Sequence, residues 1–257
     1  SGSEGLVAAG NIFMGMTESP VLIKNYLPTM NRSEIFLVMV SGMSTIAGSV
    51  MGTYIGMLGG TDPAAKVLFA THLLSASVMA VPGSIVLAKM LCPQTEEATD
   101  HVAISGKEKE NSNILDAISS GTVTGVKLMT NIAAMLLVFI SLVALANYIT
   151  EGVIGRYTGL NDWIVKITDG KAQGLTFQFI LGVITSPFMW LIGVPSQDIM
   201  LVGSLLGQKT ILNEFVAYFQ LQQWKDAGLF MYEKSILMST YILCGFANIS
   251  SIGILLG

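Results

Sequence analysis

The sequence predicts an all-α polytopic membrane protein made of two inverted repeats. Each repeat is a re-entrant helical hairpin followed by a broken transmembrane helix. Three observations carry this reading. First, the 257 residues are 52% hydrophobic and 12% charged, against roughly 25% charged in an average soluble domain. Second, the stretches 35–61, 67–88, 128–150, 172–197 and 235–257 contain no charged residue, and each reaches the roughly 20 residues that cross a bilayer. Third, two further apolar regions are interrupted by charge and resemble each other. Intrinsic disorder is excluded, since it requires low hydrophobicity and high charge. Nucleic-acid binding is excluded too, because 13 Lys and Arg face 17 Asp and Glu with no basic stripe.

The first interrupted region runs from Gly5 to Tyr26 and is broken at Glu18, with Gly15 and Pro20 nearby. A carboxylate at bilayer depth costs about 3 kcal/mol or more and marks functional sites. Two half-length helices meeting at a polar tip fit better than a straight span, so a hairpin is expected over 5–29. Such broken backbone survives in a membrane only where protein or a water-filled cavity covers it. Spans are expected at 34–60 and 64–91, completing a first repeat over 1–91. The segment 92–127 reads as a solvated loop, with His101 on its surface, and an interfacial helix. Lys24, Arg32, Lys89, Lys107, Lys109 and Lys127 share its side, which the positive-inside rule makes cytoplasmic.

A further span is expected at 128–153. If the repeats are inverted, 154–197 lies outside or at the interface, although 175–194 is long enough to cross. The second interrupted region, Ile199 to Leu221, is broken at Lys209 and Glu214 and predicts a hairpin at 198–222. A broken span at 235–257 closes the second repeat, 198–257. The internal similarity runs between AAGNIFMGMTESPVLIKNYL, from Ala8, and VGSLLGQKTILNEFVAYFQL, from Val202. Each is followed by a polar cluster at mid-span, MSTIAGSVMG from Met43 and FANISSIGILLG from Phe246. Paired interrupted segments of this kind mark repeat-built transporters. Both chain ends are apolar, which predicts further helices before Ser1 and after Gly257.

Within the membrane, Glu18 and Glu214 are the strongest signals. Each serves as an acceptor for solute hydroxyls or amines, as a proton carrier, or as a brace for its own hairpin tip. Asn11, Thr17, Ser44, Thr45 and Ser49 form one polar group; Asn213, Asn248, Ser250 and Ser251 form another. Hydroxyls and unwound carbonyls of this kind coordinate sodium. His72 reads as a packed, hydrogen-bonded histidine, and Cys244 as a packing residue. Two lone cysteines and two histidines make no zinc cluster. The absence of a Gly-x-Ser-x-Gly elbow or a matched His–Asp pattern argues against an enzyme.

The run GNIFMGMTESPVLIKNYL resembles the first hairpin of the concentrative nucleoside transporters, whose pattern is close to Gly-Asn-x-Phe-x-Gly-Gln-Thr-Glu-Ala-Pro. GSLLGQKTILNEFVAY and LCGFANISSIGI resemble the second hairpin and the broken helix after it. The resemblance implies sodium-coupled nucleoside symport by alternating access across the plasma membrane, the inner membrane if bacterial. It also implies a homotrimer, with the span at 128–153 in its scaffold, and no cofactor beyond sodium. It assigns Gly15, Met16, Thr17, Glu18, Glu214, Phe246, Asn248 and Ser251 to the nucleoside. It assigns Asn11, Met14 (through its carbonyl), Ser44, Thr45 and Gly48 to sodium. Met16 replaces the family's usual Gln, and within the family the Gly-Met pair goes with purine nucleosides. The alternatives are a proton-coupled symporter of broad or pyrimidine specificity and a nucleoside-binding membrane protein that does not transport.

Overall fold

The computed structural model describes residues 1–16, 18–23, 26–96, 113–168, 170, 172–248 and 251. Among them the structure is helical, with no strand. Helix α1 (Gly2–Gly10) begins at a capping box in which the Glu4 amide donates to the Ser1 hydroxyl and the Glu4 carboxylate accepts from the Ser1 nitrogen. The chain then turns and returns against α1 as 3₁₀ turns, Ser19–Ile23 and Leu27–Thr29. The expected second half-helix of the hairpin is therefore not α-helical. Pro20 and Pro28 lack the backbone N–H that an α-ladder needs, and 3₁₀ runs stay short.

Helix α2 (Arg32–Ser44) starts at a second capping box, Asn31 with Glu34. It stops at Thr45, whose backbone is extended, and α3 (Gly48–Gly59) resumes after an extended Ala47. The expected span at 34–60 is thus one apolar segment with a break at its centre. Helix α4 (Pro63–Leu91) opens with Asp62 accepting from the amides of Ala64 and Ala65, and with Pro63 in its first turn. By length and composition, 32–59 and 63–91 could each cross a membrane. At the end of α4, Lys89 donates to Glu4 at 2.5 Å and to Ser33 at 3.0 Å, tying α4 to the starts of α1 and α2.

Helix α5 spans Ile114–Asn147 without interruption, so the division at 127 between interfacial helix and span is not seen. A charge such as Lys127 interrupts an apolar stretch without interrupting a helix, since lysine is a good helix former. The helix passes into π-helical turns at Tyr148–Gly155, then α6 (Arg156–Thr158) and α7 (Leu160–Ile167). Helix α8 (Phe177–Leu191) has 15 residues, about 22 Å at 1.5 Å per residue, short of a roughly 30 Å hydrocarbon core. It lies against α9 (Ile199–Ile211) along much of its length. Gly182, Gly203 and Gly207 allow this approach: a Cβ on Gly203 would stand 3.0 Å from the Gly182 carbonyl oxygen. The second hairpin region therefore has α8 as a close partner. Helices α10 (Glu214–Asp226) and α11 (Glu233–Leu243) follow.

The largest core cluster unites both halves. Ile46, Tyr54, Leu58, Phe69 and Leu73 from the first half pack with Leu205, Tyr218, Leu221 and Leu243 from the second. Outward faces of α4 and α5 are apolar as well: Val67, Met79, Val86, Leu137, Val138 and Leu142 are all exposed. Apolar surface of that extent suits lipid rather than water.

Candidate functional site

Two helix breaks meet at the centre of the molecule. The first is the extended stretch between α2 and α3. The second follows α11, where Gly245 adopts φ +94°. A Cβ at Gly245 would lie 2.7 Å from the Ser44 carbonyl oxygen and 2.9 Å from that of Met43. Only glycine allows both that conformation and that approach. The helix breaks at Thr45 and Gly245 therefore touch.

Glu214 is anchored from both halves. It is the first residue of α10, and Asn213 caps that helix by accepting from the Val216 amide at 2.9 Å. The Tyr54 hydroxyl on α3 donates to one carboxylate oxygen at 3.3 Å, and the Asn248 amide donates to the other at 3.3 Å. Asn248 in turn accepts from the Ser251 amide at 2.8 Å. The Ser251 hydroxyl is buried and, among the described residues, has no hydrogen-bond partner. A buried hydroxyl left open costs about 1–3 kcal/mol unless something fills it. Phe246 is half-buried between Gly245 and this group.

The first tip is organised differently. Glu18 is exposed, and its carboxylate accepts from the Gly15 amide of its own turn at 2.8 Å. Met16 is buried against Gly42 on α2, where a Cβ would lie 3.2 Å from the Met16 Cβ. Gly15 approaches Ala47 in the same way, at 3.3 Å. The Gly48 amide donates to the Phe13 carbonyl at 2.9 Å, so the loop after α1 is pinned to the start of α3. Thr17 lies outside the described residues, as do Ser250 and His101.

Oxygen donors gather beneath that loop. Asn11 is fully buried, donates to Ser41 Oγ at 2.9 Å and accepts from Ser19 Oγ at 2.5 Å. The hydroxyls of Ser44 and Thr45 donate to the Ser41 carbonyl at 2.8 and 3.4 Å. Their protons are thus directed inward along α2, and their lone pairs remain for a cation. An amide oxygen with two such hydroxyls is a hard donor set that fits sodium. Met14 is half-buried and Gly48 exposed, flanking the same stretch.

Sequence reasoning missed several groups here. Tyr54 hides in an apolar stretch, and its ring stacks on Tyr218 at 4.1 Å. Ser19 and Ser41, which hold Asn11, carry no distinguishing signal in the sequence. Lys209 was noticed only as an interruption; its ammonium donates to the Ile242 and Cys244 carbonyls at 3.0 and 2.8 Å. His72 pairs with the Tyr241 hydroxyl at 2.9 Å, with the rings edge-on, a packed, hydrogen-bonded histidine.

Residues 72–257 match the model of the Na+ dependent nucleoside transporter C-terminus, and residues 1–61 match that of a nucleoside recognition "gate". The chain is 38% identical over 260 residues to an uncharacterized transporter of Haemophilus influenzae, covering all of this chain and 57% of that protein. It is 38% identical to sodium/nucleoside cotransporter 2 of Rattus norvegicus, over 99% of this chain and 38% of the relative. Among solved structures it resembles the transporter CNTnw in an inward-facing substrate-bound state. There the TM-score is 0.77 at 35% identity, covering all of this chain and 56% of the other. An outward-facing state of CNTnw is similar at TM-score 0.79 and 36% identity, covering 57% of that chain. The chain therefore spans little more than half the length of these bacterial and structural relatives, and less of the mammalian one.

Proposed function

The chain belongs to the sodium-dependent nucleoside transporter family, and from that premise we propose that its parent protein couples the entry of purine nucleosides to sodium by alternating access. The observation that carries the proposal is the arrangement around Glu214. A buried carboxylate braced by Tyr54 and Asn248, beside a Ser251 hydroxyl that has no partner among the described residues, offers the acceptors and donors that a ribose presents in complement. Phe246 supplies an apolar face beside it. The family resemblance gives Gly15, Met16, Thr17 and Glu18 the role of contacting the base. The parent protein is a multi-pass transporter of the plasma membrane, working as a homotrimer with α5 in its scaffold.

Coupling follows from the contacts of the first tip. The loop 11–16 rests on the α2 break through Gly48, Ala47 and Gly42. A cation held by Asn11, Ser44 and Thr45, with the carbonyl of Met14 and the stretch at Gly48, ties that loop to α2. A tip ordered in this way raises nucleoside affinity, and by linkage the nucleoside raises sodium affinity by the same factor.

The test is labelled guanosine or adenosine uptake into proteoliposomes by the full-length protein, with and without an inward sodium gradient and with excess unlabelled uridine. Sodium-dependent uptake that resists uridine is expected. Uptake driven by a pH gradient and indifferent to sodium would transfer the coupling role to protons, and binding without counterflow would remove transport. Met16→Gln restores a group that can pair with the polar edge of a pyrimidine. It is expected to shift the guanosine-to-uridine uptake ratio toward uridine by about tenfold, roughly one hydrogen bond. An unchanged ratio would place selectivity elsewhere.

A further inference from the structure

The two central breaks share an electrostatic problem. Each lies at the C-terminal end of a helix, α2 at Ser44 and α11 at Leu243. A helix C-terminus carries unsatisfied carbonyls and the equivalent of roughly half a negative charge. Gly245 brings the two ends into direct contact at the carbonyls of Met43 and Ser44. Two negative poles thus converge away from bulk water, where a low dielectric strengthens their repulsion. Glu214 adds a carboxylate on the same side, in electrostatic reach of Lys209.

The two ends are compensated unequally. At the α2 end the nearby donors are neutral: Asn11, Ser41, Ser44 and Thr45. At the α11 end the donor is a cation. Lys209 comes from the last turn of α9, is 6% exposed, and places its ammonium on the carbonyls of Ile242 and Cys244 at 3.0 and 2.8 Å. Among the described residues these partners are carbonyl oxygens, not carboxylates. A lysine buried on main-chain oxygens is costly unless its charge does something there.

We propose that Lys209 is the resident cation of the second repeat. Its ammonium occupies, at the α11 break, the position for which the first repeat recruits dissolved sodium at the α2 break. One break is thereby permanently neutralised, and only the other draws on the gradient. The proposal rests on the sodium reading above. It makes Lys209 a positioning residue that sets the number of ions coupled, and it assigns a second, latent sodium site to the carbonyls of Ile242 and Cys244.

The experiment uses the full-length protein, purified in detergent and reconstituted. Radioactive sodium bound per protomer is counted at saturation, and sodium activation of nucleoside uptake is fitted for the parent, Lys209→Ala and Lys209→Arg. The expected result for Lys209→Ala is one additional sodium per protomer, a Hill coefficient for sodium that rises by up to one unit, and melting that depends more steeply on sodium. Lys209→Arg keeps the parent's ion count. A Lys209→Ala protein with the parent's ion count and Hill coefficient overturns the proposal, even if nucleoside affinity falls, since a merely structural lysine would behave so. If Lys209→Ala does not fold at any sodium concentration, Lys209→Gln decides. Its amide still donates to a carbonyl but carries no charge, so a parent-like ion count and sodium dependence overturns the proposal, and an added sodium supports it. A parent that binds no sodium defeats the underlying coupling reading instead, which separates the two failures.

Discussion

Glu18 and Glu214 occupy comparable turns in the two halves of this chain, yet they are held in opposite ways. Glu18 is exposed and closes its own turn through the Gly15 amide. Glu214 is buried and held across 160 residues by Tyr54 and across 34 by Asn248. The limbs behind them differ in the same sense. The first tip returns as 3₁₀ turns, whereas the second runs from α9 into α10, both regular helices of 13 residues. A carboxylate satisfied locally depends on its own turn alone, while one satisfied by two distant segments depends on how those segments pack. The Glu18 carboxylate is therefore braced within its own turn and that of Glu214 between distant elements.

This contrast can be broken most severely at the breaks themselves. Gly245→Ala forces a side chain into φ +94° and within 3 Å of two carbonyl oxygens. It is expected to lower stability by about 3 kcal/mol, read as thermal unfolding in detergent. Gly48→Ala meets only the Phe13 carbonyl, at 3.0 Å and without a positive φ, and is expected to cost about 1 kcal/mol. Equal effects at the two positions would remove the claimed asymmetry between the breaks.

Next in size is the Glu214 carboxylate. Glu214→Gln removes the charge that the Tyr54 hydroxyl and the Asn248 amide address, and nucleoside affinity is expected to fall about 100-fold, near 3 kcal/mol. Equilibrium binding of a labelled nucleoside checks this. Tyr54→Phe leaves the ring stack with Tyr218 but deletes one donor to Glu214, with an expected loss of about tenfold. A normal affinity in Tyr54→Phe would mean that the carboxylate needs no help from α3. The smallest effect belongs to Glu18→Gln, which keeps an acceptor for the Gly15 amide. It is expected to change affinity by no more than about fivefold, under 1 kcal/mol. A loss as large as that of Glu214→Gln would show that nucleoside binding depends on the Glu18 charge as strongly as on that of Glu214.

Much of the candidate site was legible as residue types. Asn11, Ser44, Thr45, Glu214, Asn248 and Ser251 stand out because polar groups are rare in apolar stretches, and rarity there carries information. Their partners were not legible. Tyr54 reads as one more aromatic in a span, and Ser41 as one more small helix residue. Lys209 looked like a flaw in a hairpin, because nothing local says that its ammonium reaches the end of a helix 33 residues later. The continuity of α5 across 127 was not legible for a related reason. Charge spacing reports where lipid ends, whereas capping groups such as Asn113, which accepts from the Asp116 amide at 2.8 Å, decide where a helix begins.

The sequence by itself determined the all-helical membrane character, the two interrupted regions and the identity of the polar groups in and after them. It could do so because excluding charge from hydrocarbon is a local cost, paid residue by residue and therefore visible along the chain. The tertiary structure alone decided that the two breaks touch, that Gly245 must be glycine for that contact, which helices hold Glu214, and which carbonyls receive Lys209. Those choices depend on how distant helices pack, and packing selects partners by shape and proximity that linear spacing does not encode.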